Sequence, residues 1–359
     1  MSEGVGKDTV MDLARGNNFD FLRLYASLQV FVHHAIAHLN VTEFKPLCAV
    51  LGYLPGVPIF FVISGFLISK SWERAPSLRQ YVRNRFLRIY PALWVCLAIS
   101  IIIFWSCGIR PWSASDFFSW ILSQATFFQF YNPDFLRYFG VGVINGSLWT
   151  IPVELQFYIL LPVIALVAKR TQSVWVICLI LSGLIMLGAR YYMSDRELLF
   201  QKLLGVSLLP YLFYFIVGVV GRQLYEKFPF LFEGKFFVWA VVYVAWVTVE
   251  ISYGIGGATG NHLNIISIFL IGMLTIGGVF SGRGLSSRIL KQNDLSYGIY
   301  IYHMPIVNLL LFYELDGLKG FAISLVSSLV ISILSWHLVE SRALNLKKYS
   351  LRKRFGLST

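Results

Sequence analysis

Apolar residues in this chain come in long runs, not in the alternation of a half-buried strand or the one-sided stripe of a soluble helix. A bilayer core about 30 Å thick takes roughly 20 apolar residues in one helix. Runs of that kind lie near 19–40, 50–69, 89–107, 146–168, 173–190, 203–222, 236–254, 262–280, 295–313 and 318–338. They predict an all-α, polytopic integral membrane protein with about ten transmembrane helices. The stretch 117–131 (FFSWILSQATFFQFY) is interrupted by Ser, Gln and Thr and is expected to lie at the interface or to re-enter the membrane. The first run carries Arg23, His33, His34 and His38 and has no small-residue cleavage site, so it is expected to remain as a helix and not to act as a removable signal.

The basic residues fall mostly between the runs. With the N-terminus in the cytoplasm, 23 of the 30 Lys and Arg lie on cytoplasmic segments. The other 7 are Lys45, Arg110, Arg137, Arg190, Arg196, Lys202 and Lys319. That asymmetry predicts that both termini, the segment 1–18 and the basic tail 341–359, are cytoplasmic. The net charge of +12 then reads as membrane anchoring and not as a nucleic-acid surface. A water-soluble domain is excluded by 57% hydrophobic against 13% charged residues and a mean hydropathy of +0.68. Four scattered cysteines form no CxxC pair or Cys/His cluster, so neither structural zinc nor a disulfide framework is expected, and no metal. Without a repeat of fixed period or an appended soluble part, 1–359 reads as a single transmembrane domain.

Ionisable groups inside a membrane cost several kcal/mol unless paired or hydrated, so each is a functional candidate. Arg23 and His34 are eleven residues apart, three helical turns and roughly 16 Å, which puts them on one face of the first helix. Asp20, three residues before Arg23, is a candidate partner for the guanidinium. His33 points away from that face, and His38 lies one turn beyond His34. The third run opens YVRNRFLRIYP, where Arg85 and Arg88 share a face at the cytoplasmic end. Paired guanidinium forks suit phosphate; anchoring against anionic lipid is the plainer alternative. Glu154 lies about two turns into the fourth run, where it can accept the Nδ1 proton of an imidazole, act as a base, or pair with an outer-loop arginine such as Arg137. Tyr297, Tyr300 and His303 follow spacings of three in LSYGIYIYHMP, with Pro305 loosening the backbone behind them. Ser64 and Gly65 in the second run permit close approach of a helix or ligand, and Ser64 is a weak candidate nucleophile.

These segments, in this order, resemble acyltransferase family 3 of the membrane-bound O-acyltransferases, which modify bacterial surface glycans. The matching motifs are DFLRLYASLQVFVHH, FFVISGFLIS, RNRFLRIYPALW, SLWTIPVELQFY and YGIYIYHMP. The resemblance implies roles in acyl-CoA use and activity for Arg23, His34, Arg85 and Arg88. Relatives often carry two adjacent acidic residues in the fourth segment, whereas here Glu154 is followed by Leu155. Some relatives carry an extracytoplasmic hydrolase-like domain, and the basic tail here is expected to mark the stand-alone form.

Residues and resemblance together imply acyl-CoA, with acetyl-CoA foremost, as a co-substrate and no bound cofactor. Its phosphates would meet Arg23, Arg85 and Arg88, and its thioester would meet the catalytic pair His34 and Glu154, the latter orienting or deprotonating the ring, with Asp20, Ser64, Tyr297 and His303 in support. The implied acceptor is a surface polysaccharide or lipid-linked sugar, the implied location the bacterial inner membrane, and His34 is either a general base or the carrier of an acyl-imidazole. A transporter or flippase for an anionic or lipid-linked sugar, and a non-catalytic assembly subunit, are the two alternatives from other classes.

Overall fold

The computed structural model describes residues 17–74, 76–168, 171, 173–193, 198–257, 259–282, 284–291 and 293–346. The N-terminal segment up to residue 16, the loop cations Lys169, Arg170, Arg196 and Arg283, and the tail from Lys347 onward lie outside them. Among the described residues the secondary structure is helical throughout, with no strand.

A helix stands at each of the ten predicted runs: α1 Phe19–His38, α3 Gly56–Arg74, α4 Leu78–Ser106, α6 Thr150–Ala168, α7 Ser173–Tyr192, α9 Leu212–Lys227, α10 Phe236–Ser252, α11 Ile265–Val279, α13 Ser296–Phe312 and α14 Gly317–Ser335. Short helices α2 Lys45–Leu51, α5 Ala114–Ala125, α8 Leu199–Gly205 and α12 Leu285–Leu290 lie between them. Five stretches are long and apolar enough to cross a membrane: Thr42–Arg74, Leu78–Ser106, Gly146–Ala168, Ser173–Tyr192 and Gly317–Leu346. Three of the other apolar helices are shorter, at 10–17 residues. This is the build of a multi-pass membrane protein. On α7, Val176, Ile180, Leu184 and Leu187 recur every three to four residues and are each about half exposed or more, a greasy outward stripe that only lipid or a partner surface would cover.

Two boundaries differ from expectation for local reasons. The run expected from 203 is helical as α9 only from Leu212, because Gly205 ends α8 and Pro210 withholds an amide just before the new helix. The helix expected from 89 starts at Leu78, so its arginine-rich opening is helical and Pro91 lies inside it. The stretch expected not to span contributes the 12-residue α5, capped by Ser113 Oγ accepting from Asp116 N at 3.1 Å, with Trp120 and Gln124 buried.

The chain divides into two compact units interleaved in sequence. The first comprises Met1–Val30, Ala49–Lys70 and Phe157–Asp294. Its centre is glycine-mediated contact between α3 and α9: a Cβ on Gly65 would run into the Phe215 carbonyl, and one on Gly218 into the Val62 carbonyl. Phe215 is stacked between Phe61 and Phe157, with ring centroids 4.6 and 4.2 Å away. Asn18 ties the start of α1 to the segment after α11, donating to Ser281 O and accepting from Ser286 N at 3.0 Å. At the end of α10, buried Glu250 accepts from Asn264 Nδ2 and from Ser267 Oγ, which anchors the glycine-rich loop before α11.

The second unit comprises Phe31–Cys48, Ser71–Gln156 and Leu295–Thr359. Here α14 presents a buried row of Ser324, Ser328, Ser332 and Ser335. Gly298 of α13 lies against Ser332, where an added Cβ would come within 2.9 Å of the serine Cβ. Tyr302 closes the seam by donating to Ser335 Oγ at 3.1 Å or Ala92 O at 3.3 Å. Small residues let these helices approach to where polar side chains can reach across.

Candidate active site

The second unit holds a histidine pair. His34 lies four residues before the end of α1, and His303 sits in mid-α13, fully buried. His34 Nδ1 is 2.9 Å from His303 Nε2, with the rings near parallel at 25° and 5.2 Å between centroids. His303 Nδ1 lies 3.0 Å from the carbonyl of Ile299, one turn back on α13. Phe31 meets the His303 ring edge-on at 6.1 Å. Next to it Tyr300 is fixed through its hydroxyl, 2.7 Å from Thr150 Oγ1 and 2.8 Å from Ser147 O. His38 follows one turn after His34, 5.9 Å between rings. His33 is exposed, as its helical position predicts, with Nδ1 3.0 Å from Cys48 Sγ.

The break after His303 has a use. Pro305 has no amide to give to Ile301 O, four residues earlier. That carbonyl accepts from Asn145 Nδ2 at 2.7 Å and from the Cys96 thiol at 3.1 Å. Ser147 Oγ lies 2.7 Å from Asn145 Oδ1 and 3.1 Å from Tyr300 O, able to donate to either, and Asn308 Nδ2 lies 2.9 Å from both Val143 O and Ile144 O. The loop before α6 is thereby held along α13.

Toward the start of α13, the Arg88 guanidinium lies over the Tyr297 ring, 5.9 Å from its centroid, a cation–π contact. The Tyr297 hydroxyl donates to Ile89 O at 2.9 Å. Arg85 is half-buried three residues before Arg88, and Arg83 donates outward to Leu346 O at 3.1 Å. Glu154 is half-buried on α6. Accepting an imidazole Nδ1 proton is one of three roles the sequence leaves open to Glu154; the group 2.9 Å from His34 Nδ1 is His303.

In the first unit, Arg23 Nη1 is 2.6 Å from Asp294 Oδ2 and 4.0 Å from Asp20 Oδ1. Asp20 is therefore the outer member of the pairing. Its side chain is 42% exposed against 7% for Asp294, and a buried carboxylate gains more from a close cation than a solvated one. Sequence reasoning missed Asp294, which lies two residues before an apolar helix and reads there as an ordinary polar residue at a helix start. Ser64 is half-buried on α3 beside the Gly65 crossing. Among the described residues no group of three or more His, Cys, Asp or Glu is placed to hold a metal ion.

The family model for the Acyltransferase domain matches residues 17–337. The chain is similar to nodulation protein 10 of Rhizobium leguminosarum bv. viciae, 29% identical over 95% of this chain and 97% of that one. It is also similar to the O-acetyl transferase of Shigella phage Sf6, 30% identical over 92% and 96%. A peptidoglycan O-acetyltransferase of Listeria monocytogenes is 26% identical over 81% of this chain, which covers 49% of that longer protein. No solved structure matches the chain.

Proposed function

Because this chain belongs to acyltransferase family 3, we propose that it is an integral membrane O-acyltransferase. In this reading it moves an acyl group, acetyl first among them, from cytoplasmic acyl-CoA to a sugar hydroxyl of a cell-surface polysaccharide or lipid-linked glycan. It does so as a single domain of ten spans in the bacterial inner membrane, with both termini cytoplasmic. Relatives named as O-acetyl transferases support the chemistry, and the basic-residue asymmetry supports the orientation.

The observation that carries the reading is the His34–His303 pair, 2.9 Å apart in the interior of a membrane domain. His34 takes the proton of the acceptor hydroxyl as that oxygen attacks the thioester carbonyl. The C–S bond then breaks, and the imidazolium returns the proton to the departing CoA thiolate, so that ester and free thiol are the products. An acyl-imidazole on His34 is the covalent variant of the same scheme. Arg85 and Arg88 bind the phosphates of CoA, the second steadied by Tyr297, and Arg23 contributes a cation oriented by Asp294. Glu154, half-buried on α6, is the acidic candidate for a second proton-handling group.

The test uses sealed membrane vesicles with the cytoplasmic face outward, supplied with acetyl-CoA and host glycan, comparing wild type with His34→Ala at equal abundance. Free CoA and labelled glycan from wild type alone are expected. Sugar movement without any thioester turnover would replace the enzyme with a transporter.

A further inference from the structure

We infer that His303 is a positioning residue: it holds His34 in the tautomer with hydrogen on Nδ1, and so makes Nε2 the nitrogen that exchanges the proton. The inference rests on the reading of His34 as the proton-transferring residue and goes one step further, to which face of that ring reacts.

Hydrogen-bond directions fix it from one end. A neutral imidazole has one donor nitrogen and one acceptor nitrogen. His303 Nδ1 is 3.0 Å from the Ile299 carbonyl, which can only accept, so this nitrogen carries the hydrogen. His303 Nε2 therefore presents a lone pair. It lies 2.9 Å from His34 Nδ1, which must donate to it. The hydrogen of neutral His34 is then on Nδ1, and Nε2 keeps its lone pair for a substrate. This is the less favoured tautomer of a free imidazole in water, so the surroundings have to impose it. They are built to do so. His303 is fully buried, Phe31 closes on its ring, and the doubly bonded Tyr300 hydroxyl keeps the neighbouring turn in place. When His34 gains a proton at Nε2, its Nδ1–H bond to His303 is undisturbed. The ring keeps its aim through the catalytic cycle.

Two measurements on the full chain in lipid nanodiscs test this. The first is nitrogen NMR of histidine-labelled wild type, with His34 identified by the signal lost in His34→Gln. The Nδ1–H pattern is expected for neutral His34, and an Nε2–H pattern overturns the inference. The second compares His303→Leu with His303→Gln, whose amide oxygen can stand close to where Nε2 was. With acetyl-CoA and glycan, His303→Leu is expected to lose about 100-fold in kcat with KM for acetyl-CoA within about twofold. His303→Gln is expected to stay within about tenfold of wild type. Gln no better than Leu, or both at full activity, overturns the positioning role. If His303→Leu fails to insert, the wild-type spectrum still decides. Full activity in His34→Ala is a different failure: it removes the reading beneath the inference, whatever tautomer the spectrum shows.

Discussion

The first helix takes part in two buried polar pairs built on opposite principles. Arg23 meets Asp294 as two full charges at 2.6 Å. Such a pair is costly to break, because deleting either partner strands an ion away from water. His34 meets His303 as one imidazole against another at 2.9 Å. Losing that bond costs folding little, about 1 kcal/mol, yet it is the pair with a nitrogen to spare. The ion pair consumes its chemistry in holding the fold and aiming a cation. The imidazole pair engages His34 Nδ1 and both nitrogens of His303, the second with the Ile299 carbonyl, and leaves His34 Nε2 to exchange a proton in the proposed reaction. Stability and reactivity should therefore separate cleanly when the two pairs are mutated.

The largest separation is expected at His34. His34→Ala should lower transfer by about 10²- to 10⁴-fold while leaving membrane abundance and thermal stability near wild type, read by vesicle assay and by fluorescence-detected melting. Asp294→Ala should invert that pattern, with a loss of about 3–5 kcal/mol in stability and hence of inserted protein. The charge-free double variant Arg23→Met/Asp294→Leu should recover most of the abundance without recovering affinity for acetyl-CoA. If Asp294→Ala is as stable as wild type, the contrast between the pairs collapses. Next, Gly218→Val forces a side chain against the Val62 carbonyl and should cost about 1–3 kcal/mol, measured as a lower melting temperature with kcat per folded molecule unchanged. Arg88→Lys keeps the charge but loses the planar fork and its contact with Tyr297, and should raise KM for acetyl-CoA by about tenfold. The smallest effect is reserved for Tyr297→Phe. It keeps the ring beneath Arg88 and loses one hydrogen bond, about 1 kcal/mol, with KM nearly unchanged.

Much of this was legible in the sequence because membranes make composition informative. Ten apolar runs have ten helices, since a chain in lipid must satisfy its backbone internally, and the distinct placement of His33 and His34 follows from helical spacing alone. What could not be read is pairing between distant segments. Asp20 is near Arg23 in sequence and so drew the assignment that Asp294 fills more closely. Glu154 is conspicuous as an acid in an apolar run, whereas no such signal in the sequence marks His303 as the neighbour of His34 Nδ1. Asp294 as the closer second partner of Arg23 and His303 as the neighbour of His34 both come from tertiary proximity, which periodicity does not encode. The boundaries that moved, at Leu78 and Leu212, are those where an arginine-rich turn and a proline override hydropathy.

Pro305 gives a last consequence, best seen by counting lone pairs. A carbonyl oxygen has two, and those of Ile301 are met by the Asn145 amide and the Cys96 thiol. Replacing Pro305 with alanine would raise helix propensity by about 3 kcal/mol on intrinsic scales. The new amide would also bring a third donor to an oxygen already fully subscribed. One of the three would be displaced, and since the helix amide is held in register by its own backbone, the displaced group would be Asn145 or Cys96. A change that makes α13 a better helix would thus loosen its grip either on the loop before α6 or on α4.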